Sequence, residues 1–150
     1  MKMLNPYITF NGNCREAMEF YHKCLGGELH FQTVGESPLS GETPQKMKKL
    51  IVHAVLTSEN FVLMGSDMVY DNGLAKGNAV SIVLHCTSEK ETRSCYKRLA
   101  EDGNPTHPWA ISFWGALSGC LTDKYGNYWM LHYSKKQKNV KAKITNANFS

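Results

Sequence analysis

The feature that most constrains this chain is an internal repeat within its 150 residues. Tyr7-Ile8-Thr9-Phe10 has the composition of a strand, and Asn11-Gly12-Asn13 reads as the turn after it. Ala17, Phe20, Tyr21, Cys24 and Leu25 then recur at helical spacing, which predicts an amphipathic helix stopped at Gly26-Gly27. The order returns 75 residues on, from Ala17 to Thr92 and from Leu25 to Ala100. Val80 to Cys86 predicts a strand, and Thr92, Cys95, Tyr96, Leu99 and Ala100 repeat the apolar stripe. Asp102-Gly103-Asn104 ends that second helix.

Short strands are expected after each helix: 28–34, 50–56 and 61–65, then 106–112, 119–122 and 127–133. Asp123-Lys124-Tyr125-Gly126 joins the last two as a hairpin with glycine where a positive φ is needed. Residues 35–49, with two prolines and two glycines, read as an exposed loop. Each half is thus βαβββ, and the fold class is α+β. One helix cannot cover both faces of a sheet, so each mixed sheet is expected to curl around a concave cavity. The domain spans 1–134, with modules at about 4–67 and 78–133 and a basic tail over 135–150.

Charge enters only to exclude partners. Seventeen basic and 13 acidic residues give +4, but five lysines and no acid lie in 135–150. The rest carries 12 basic against 13 acidic residues, a net of −1, which argues against a nucleic-acid-binding face. No apolar run suits a membrane span, and Met1 to Pro6 has no signal-peptide core, so the cytoplasm is the expected compartment. The five cysteines, at 14, 24, 86, 95 and 120, form no C-x-x-C pair and are expected to be reduced.

Several segments together resemble the PhnB-like branch of the glyoxalase, bleomycin-resistance and dioxygenase superfamily, the vicinal oxygen chelate fold. They are Pro6 to Asn13 with Glu16-Ala17, Phe20-Tyr21 with Leu25 to Leu29, and His53-Ala54. Val62 to Asp67, Phe113-Trp114-Gly115-Ala116, and Thr122 to Gly126 leading to Trp129-Met130-Leu131 complete the set. The resemblance implies paired βαβββ modules, a homodimer, a small-molecule cavity and, in the enzymes, one divalent metal held mostly by His and Glu. Proteins of this branch often carry a 3-demethylubiquinone methyltransferase label. This chain shows no Gly-rich strand–loop–helix signature for a methyl donor.

The positions matching the family's metal ligands fall near Pro6, Met64, Ser81 and Met130, none suited to a hard or borderline cation. Their neighbours, Asn5, Tyr7, Leu63, Gly65, Val80, Ile82, Trp129 and Leu131, supply no His, Asp or Glu either. No metal or other cofactor is therefore expected, and a divalent metal is the alternative. His85 and His132 share a strand face by alternation and are the nearest to metal candidates, although no carboxylate completes a triad.

What remains is an apolar lining of Ile8, Phe10, Met64, Ser81, Val83, Tyr128 and Met130, with Phe113 and Trp114 beside it as a wall or lid. The competing reading is that they fill a collapsed core, since methionine and aromatic residues at alternating strand positions more often pack than recognise a ligand. Ser66 and Asp67 either contact a ligand or form an Asx turn. Three readings follow: a metal-free small-molecule binder, a metal-dependent lyase, isomerase or dioxygenase, and an interaction protein acting through its basic tail.

Overall fold

The computed structural model describes residues 2–111 and 116–134, with the Trp109 side chain excepted. The expected basic tail, 135–150, lies outside them. The chain divides into two compact units, Met1–Lys76 and Gly77–Ser150. The first runs β1 (Tyr7–Thr9), α1 (Cys14–Leu25), β2 (Glu28–Thr33), β3 (Ile51–Thr57) and β4 (Val62–Ser66). The second runs β5 (Ile82–His85), α2 (Glu89–Leu99), β6 (Asn104–Ile111), β7 (Leu117–Thr122) and β8 (Tyr128–Tyr133). Short 3-10 turns at Pro38–Glu42 and Gln45–Met47 occupy the predicted loop.

Each unit folds into an open four-stranded sheet, ordered β1-β4-β3-β2 in one and β5-β8-β7-β6 in the other. First and last strands pair in parallel, while the other pairs are antiparallel. This is the α+β, twice-βαβββ architecture that the repeat predicts.

In the first unit, α1 buries Cys14, Ala17, Met18, Tyr21 and Cys24. The sheet meets it with Ala54, Leu56 and Leu63, and with Ile8, which pairs with Gly65. Arg15 of α1 lays its guanidinium 4.7 Å from the centre of the Phe31 ring on the same side. Gly65 lacks a side chain because there is no room for one. A Cβ there would come within 3.0 Å of the Phe10 ring and 3.4 Å of the Met18 sulfur.

The second unit buries Thr92, Tyr96 and Leu99 of α2 together with Leu117, Leu121, Trp129 and Leu131. The Tyr96 hydroxyl donates to the Cys120 carbonyl at 2.9 Å, tying the helix to the sheet backbone. Asp123 organises the last hairpin. Its carboxylate accepts from the Tyr125 and Asn127 amides and, at 2.8 Å, from the Trp129 indole, while Gly126 takes the expected positive φ of 85°. β6 begins at Asn104 and includes Pro105 and Pro108, which a sheet tolerates because β6 is an edge strand. Its pairing with β7 slips on either side of His107.

The two units repeat one device at the exit of each helix. Gly27 and Gly103 sit against the strand ends at Thr57 and Thr122. A Cβ on Gly27 would lie 2.5 Å from the Thr57 carbonyl oxygen, and its φ is +92°. Gly26 also has positive φ, +76°, but nothing lies within 4 Å of its missing Cβ. Gly26→Ala should therefore cost only the left-handed backbone penalty, about 1 kcal/mol. Gly27→Ala adds a backbone collision and should cost at least ~2 kcal/mol. Denaturant unfolding of the two variants checks the difference; equal losses would contradict it.

Candidate functional site

Because α1 and α2 each cover one face of a sheet, the other face of each sheet is not covered by its helix. Register decides what it carries. In the first unit Tyr7 pairs with Met64, Val55 with Met64, His30 with Val55 and Thr57 with Val62. These residues share the uncovered face, and Tyr7 stacks with His53 there at 6.5 Å between ring centres. Met64 is thus where the sequence reading puts it. Ile8 and Phe10 are not: Ile8 turns toward α1, and Phe10 is 1% exposed in the core beneath it.

The correction has a physical cause. The helical stripes repeat at an offset of 75, but the strand faces do not. Helix-facing Ile8 and Phe10 correspond in facing to Ile82 and Leu84, which pair with the buried Trp129 and Leu131. The connection into α2 is one residue shorter than that into α1, so counting back from the helices inverts β1. Tyr7, Thr9, Val55 and His53 are the open-face residues the sequence reading does not assign to the lining. Gly65 carried the missing signal, since a glycine inside a strand marks close approach from the helix side.

In the second unit the expected alternation holds. Val83 pairs with Met130 and both are exposed, at 47% and 38%. Cys120 and Ser118 extend the face opposite Met130 and His132, and Tyr128 pairs with Thr122. Ser81 is exposed just before β5, and Pro6 precedes β1, where its carbonyl accepts the Met64 amide at 3.1 Å. Phe113 and Trp114 lie outside the described residues.

His85 and His132 face each other edge to plane, with ring centres 5.4 Å apart. Burial and then the neighbouring His85 hold His132 below the usual imidazole range, so it is neutral near pH 7. Among the described residues, no group of three or more His, Cys, Asp or Glu is arranged to hold a metal ion. The pair alone lacks the third donor and carboxylate that a stable catalytic site for a borderline cation needs.

Ser66 pairs with Thr9 and so shares the face of Met64, but both it and Asp67 are buried. Ser66 is 1% exposed, and its hydroxyl accepts the Met68 amide at 3.2 Å. Asp67 is 7% exposed, and its carboxylate accepts three backbone N–H groups at 2.9 Å: Gly12 and Cys14 on one oxygen, Ile51 on the other. Cys14 is the first residue of α1, whose N-cap Asn13 makes no side-chain cap bond. The Asp67 charge thus sits at the helix N-terminus and replaces that cap from a distant strand end. Burial, with the nearby Asp67 charge, pushes the Cys14 thiol up to about 12, so it stays protonated.

The chain matches the family described as 3-demethylubiquinone-9 3-methyltransferase over residues 2–132. It is 31% identical over 147 residues to Protein YjdN of Escherichia coli strain K12, covering 89% of this chain and 97% of YjdN. The crystal structure of PA1353 from Pseudomonas aeruginosa is 38% identical, covers 89% of this chain and 98% of that one, and superposes with a TM-score of 0.77. The PhnB protein from Bacillus cereus gives 23% identity, 89% and 100% coverage and a TM-score of 0.68. The likeness of fold extends to glyoxalase-related and glyoxalase/bleomycin resistance protein/dioxygenase structures at 17% and 19% identity.

If Asp67 is a structural clamp, Asp67→Ala leaves three buried amides unpaired and should destabilise the protein by about 2–4 kcal/mol. Denaturant unfolding measures this. Unchanged stability would return Asp67 to the list of ligand contacts.

Proposed function

The chain belongs to the PhnB-like 3-demethylubiquinone-9 3-methyltransferase family of the glyoxalase/bleomycin resistance/dioxygenase superfamily, and from that premise we propose that it is a small-molecule-binding protein. It takes a flat, largely apolar organic molecule against the uncovered sheet faces and does so without a resident metal. The observation that carries this reading is the chemistry of those faces. Tyr7, His53, Val55, Val62 and Met64 on one, with Val83, Tyr128, Met130 and His132 on the other, offer aromatic and polarisable surface with polar tips. Such surface recognises shape and ring systems rather than charge. The working unit is a homodimer, as the family resemblance implies, in the cytoplasm expected from the sequence. No helix among the described residues is long and apolar enough to cross a membrane.

Methyl transfer, which the family description names, is a poorer fit. A methyl donor is usually cradled by a Gly-rich turn between a strand and a helix in a doubly wound parallel sheet. Here each sheet has a single parallel pair, and the β1–α1 and β5–α2 connections carry Asn11-Gly12-Asn13 and Cys86-Thr87-Ser88. The second reading is metal-dependent lyase, isomerase or dioxygenase chemistry, favoured by the facing His85 and His132 rings.

Labelled methionine methyl groups test the binding reading. Titration with neutral bicyclic aromatics should shift the Met64 and Met130 resonances and leave Met18, fully buried beneath α1, unmoved. Tyr7→Ala should weaken the Met64 response by roughly tenfold in affinity, the loss of one stacking contact of about 1 kcal/mol or more. Responses confined to the exposed Met3 and Met47 would overturn the proposal.

A further inference from the structure

Two of the five cysteines are in contact. Cys86 follows β5 directly, is 2% exposed, and its amide donates to the His132 carbonyl at 2.9 Å, extending the β5–β8 ladder by one bond. Cys95 lies on α2, one turn beyond Thr92, and is half-buried. The two thiols hydrogen-bond to each other, and Thr92 adds a side-chain bond to Cys86. Helix α2 is held in place for this meeting. The Ser88 hydroxyl caps it by accepting the Glu91 amide at 3.1 Å, and the Thr92 hydroxyl donates to the Ser88 carbonyl at 2.6 Å.

We propose that Cys86 and Cys95 form a reversible dithiol–disulfide pair oxidised by peroxide, with Cys95 the attacking sulfur and Cys86 the resolving one. The division follows from position. Cys95 is partly exposed, whereas Cys86 is only 2% exposed. The shared hydrogen bond favours the same roles. It draws Cys95 down toward the thiolate, helped by Arg98 and opposed by burial and Glu91, and it holds Cys86 up as the protonated partner, with burial adding to that. The remaining cysteines lack this combination: Cys14 is fully buried with its thiol pushed up, Cys24 is buried, and Cys120 sits on the sheet rather than against this pair.

The chemistry balances without a further reagent. The Cys95 thiolate attacks one oxygen of hydrogen peroxide; an S–O bond forms, the O–O bond breaks, and hydroxide leaves and takes a proton to become water. The Cys86 thiol then gives up its proton and attacks the Cys95 sulfenic sulfur. An S–S bond forms, the S–O bond breaks, and a second water leaves. Two thiols lose two electrons and one peroxide gains them. The product staples α2 to the end of β5, one residue from His85, so oxidation fixes the edge of the open face that carries the histidine pair.

The test uses the full chain. Hydrogen peroxide should lower the intact mass by two hydrogens, yield one disulfide-linked peptide joining Cys86 to Cys95, and be reversed by dithiothreitol. Cys95→Ser should abolish the change, and Cys86→Ala should leave a Cys95 sulfenic acid that dimedone traps. Iodoacetamide on the untreated wild type, which does not depend on any variant folding, should label Cys95 roughly tenfold faster than Cys120 at neutral pH. Overoxidation of Cys95 with no linked peptide, a linkage through another cysteine, or faster labelling of Cys120 would each overturn the proposal.

Discussion

The first unit depends on one buried carboxylate. Asp67 stands at the end of β4, yet its oxygens bind the turn after β1, the first turn of α1 and the first residue of β3. A carboxylate can be buried at such a point only if its lone pairs are filled, and here backbone amides fill them. The contact fixes where α1 starts relative to the sheet. That in turn sets Phe10 and Met18 over Gly65 and leaves Tyr7, His53 and Met64 on the opposite face. The second unit solves its own closure differently, with Asp123 gathering a hairpin and the Trp129 indole. The βαβββ plan is repeated, but the polar anchors are not.

Much of the architecture was legible because it follows from periodicity. The helical stripes at Ala17 to Leu25 and Thr92 to Ala100 have the spacing that packing on a sheet demands, and the glycines after them mark where the chain must turn back. The site was less legible, for two reasons rooted in pairing. A strand face inverts with a single residue, and the unequal connections into α1 and α2 supply that residue, so Phe10 moved into the core while Val83 and Met130 stayed out. Long-range polar contacts leave no local pattern at all. Nothing around Ser66-Asp67 announces that its partners are Gly12, Cys14 and Ile51. The prolines of β6 hid a strand start for a related reason, because only edge position makes Pro105 and Pro108 acceptable.

The functional reading rests on what the uncovered faces can and cannot do. Aromatic, methionine and aliphatic groups give dispersion and stacking, and His132, held neutral by burial, adds directional hydrogen bonds without a fixed charge. The buried carboxylates Asp67 and Asp123 are committed elsewhere, to backbone amides and an indole. The chain keeps the family's frame, and its exposed sheet positions include Val83 and Met130.

The most direct measurement is calorimetric titration of the purified, untagged protein with Mg, Mn, Fe, Co, Ni and Zn, with elemental analysis of the material retained after gel filtration. The account predicts no stoichiometric binding beyond weak, His-dependent association. One metal per chain or per dimer, abolished by His85→Ala or His132→Ala, would contradict it and make vicinal-oxygen chemistry the function to pursue.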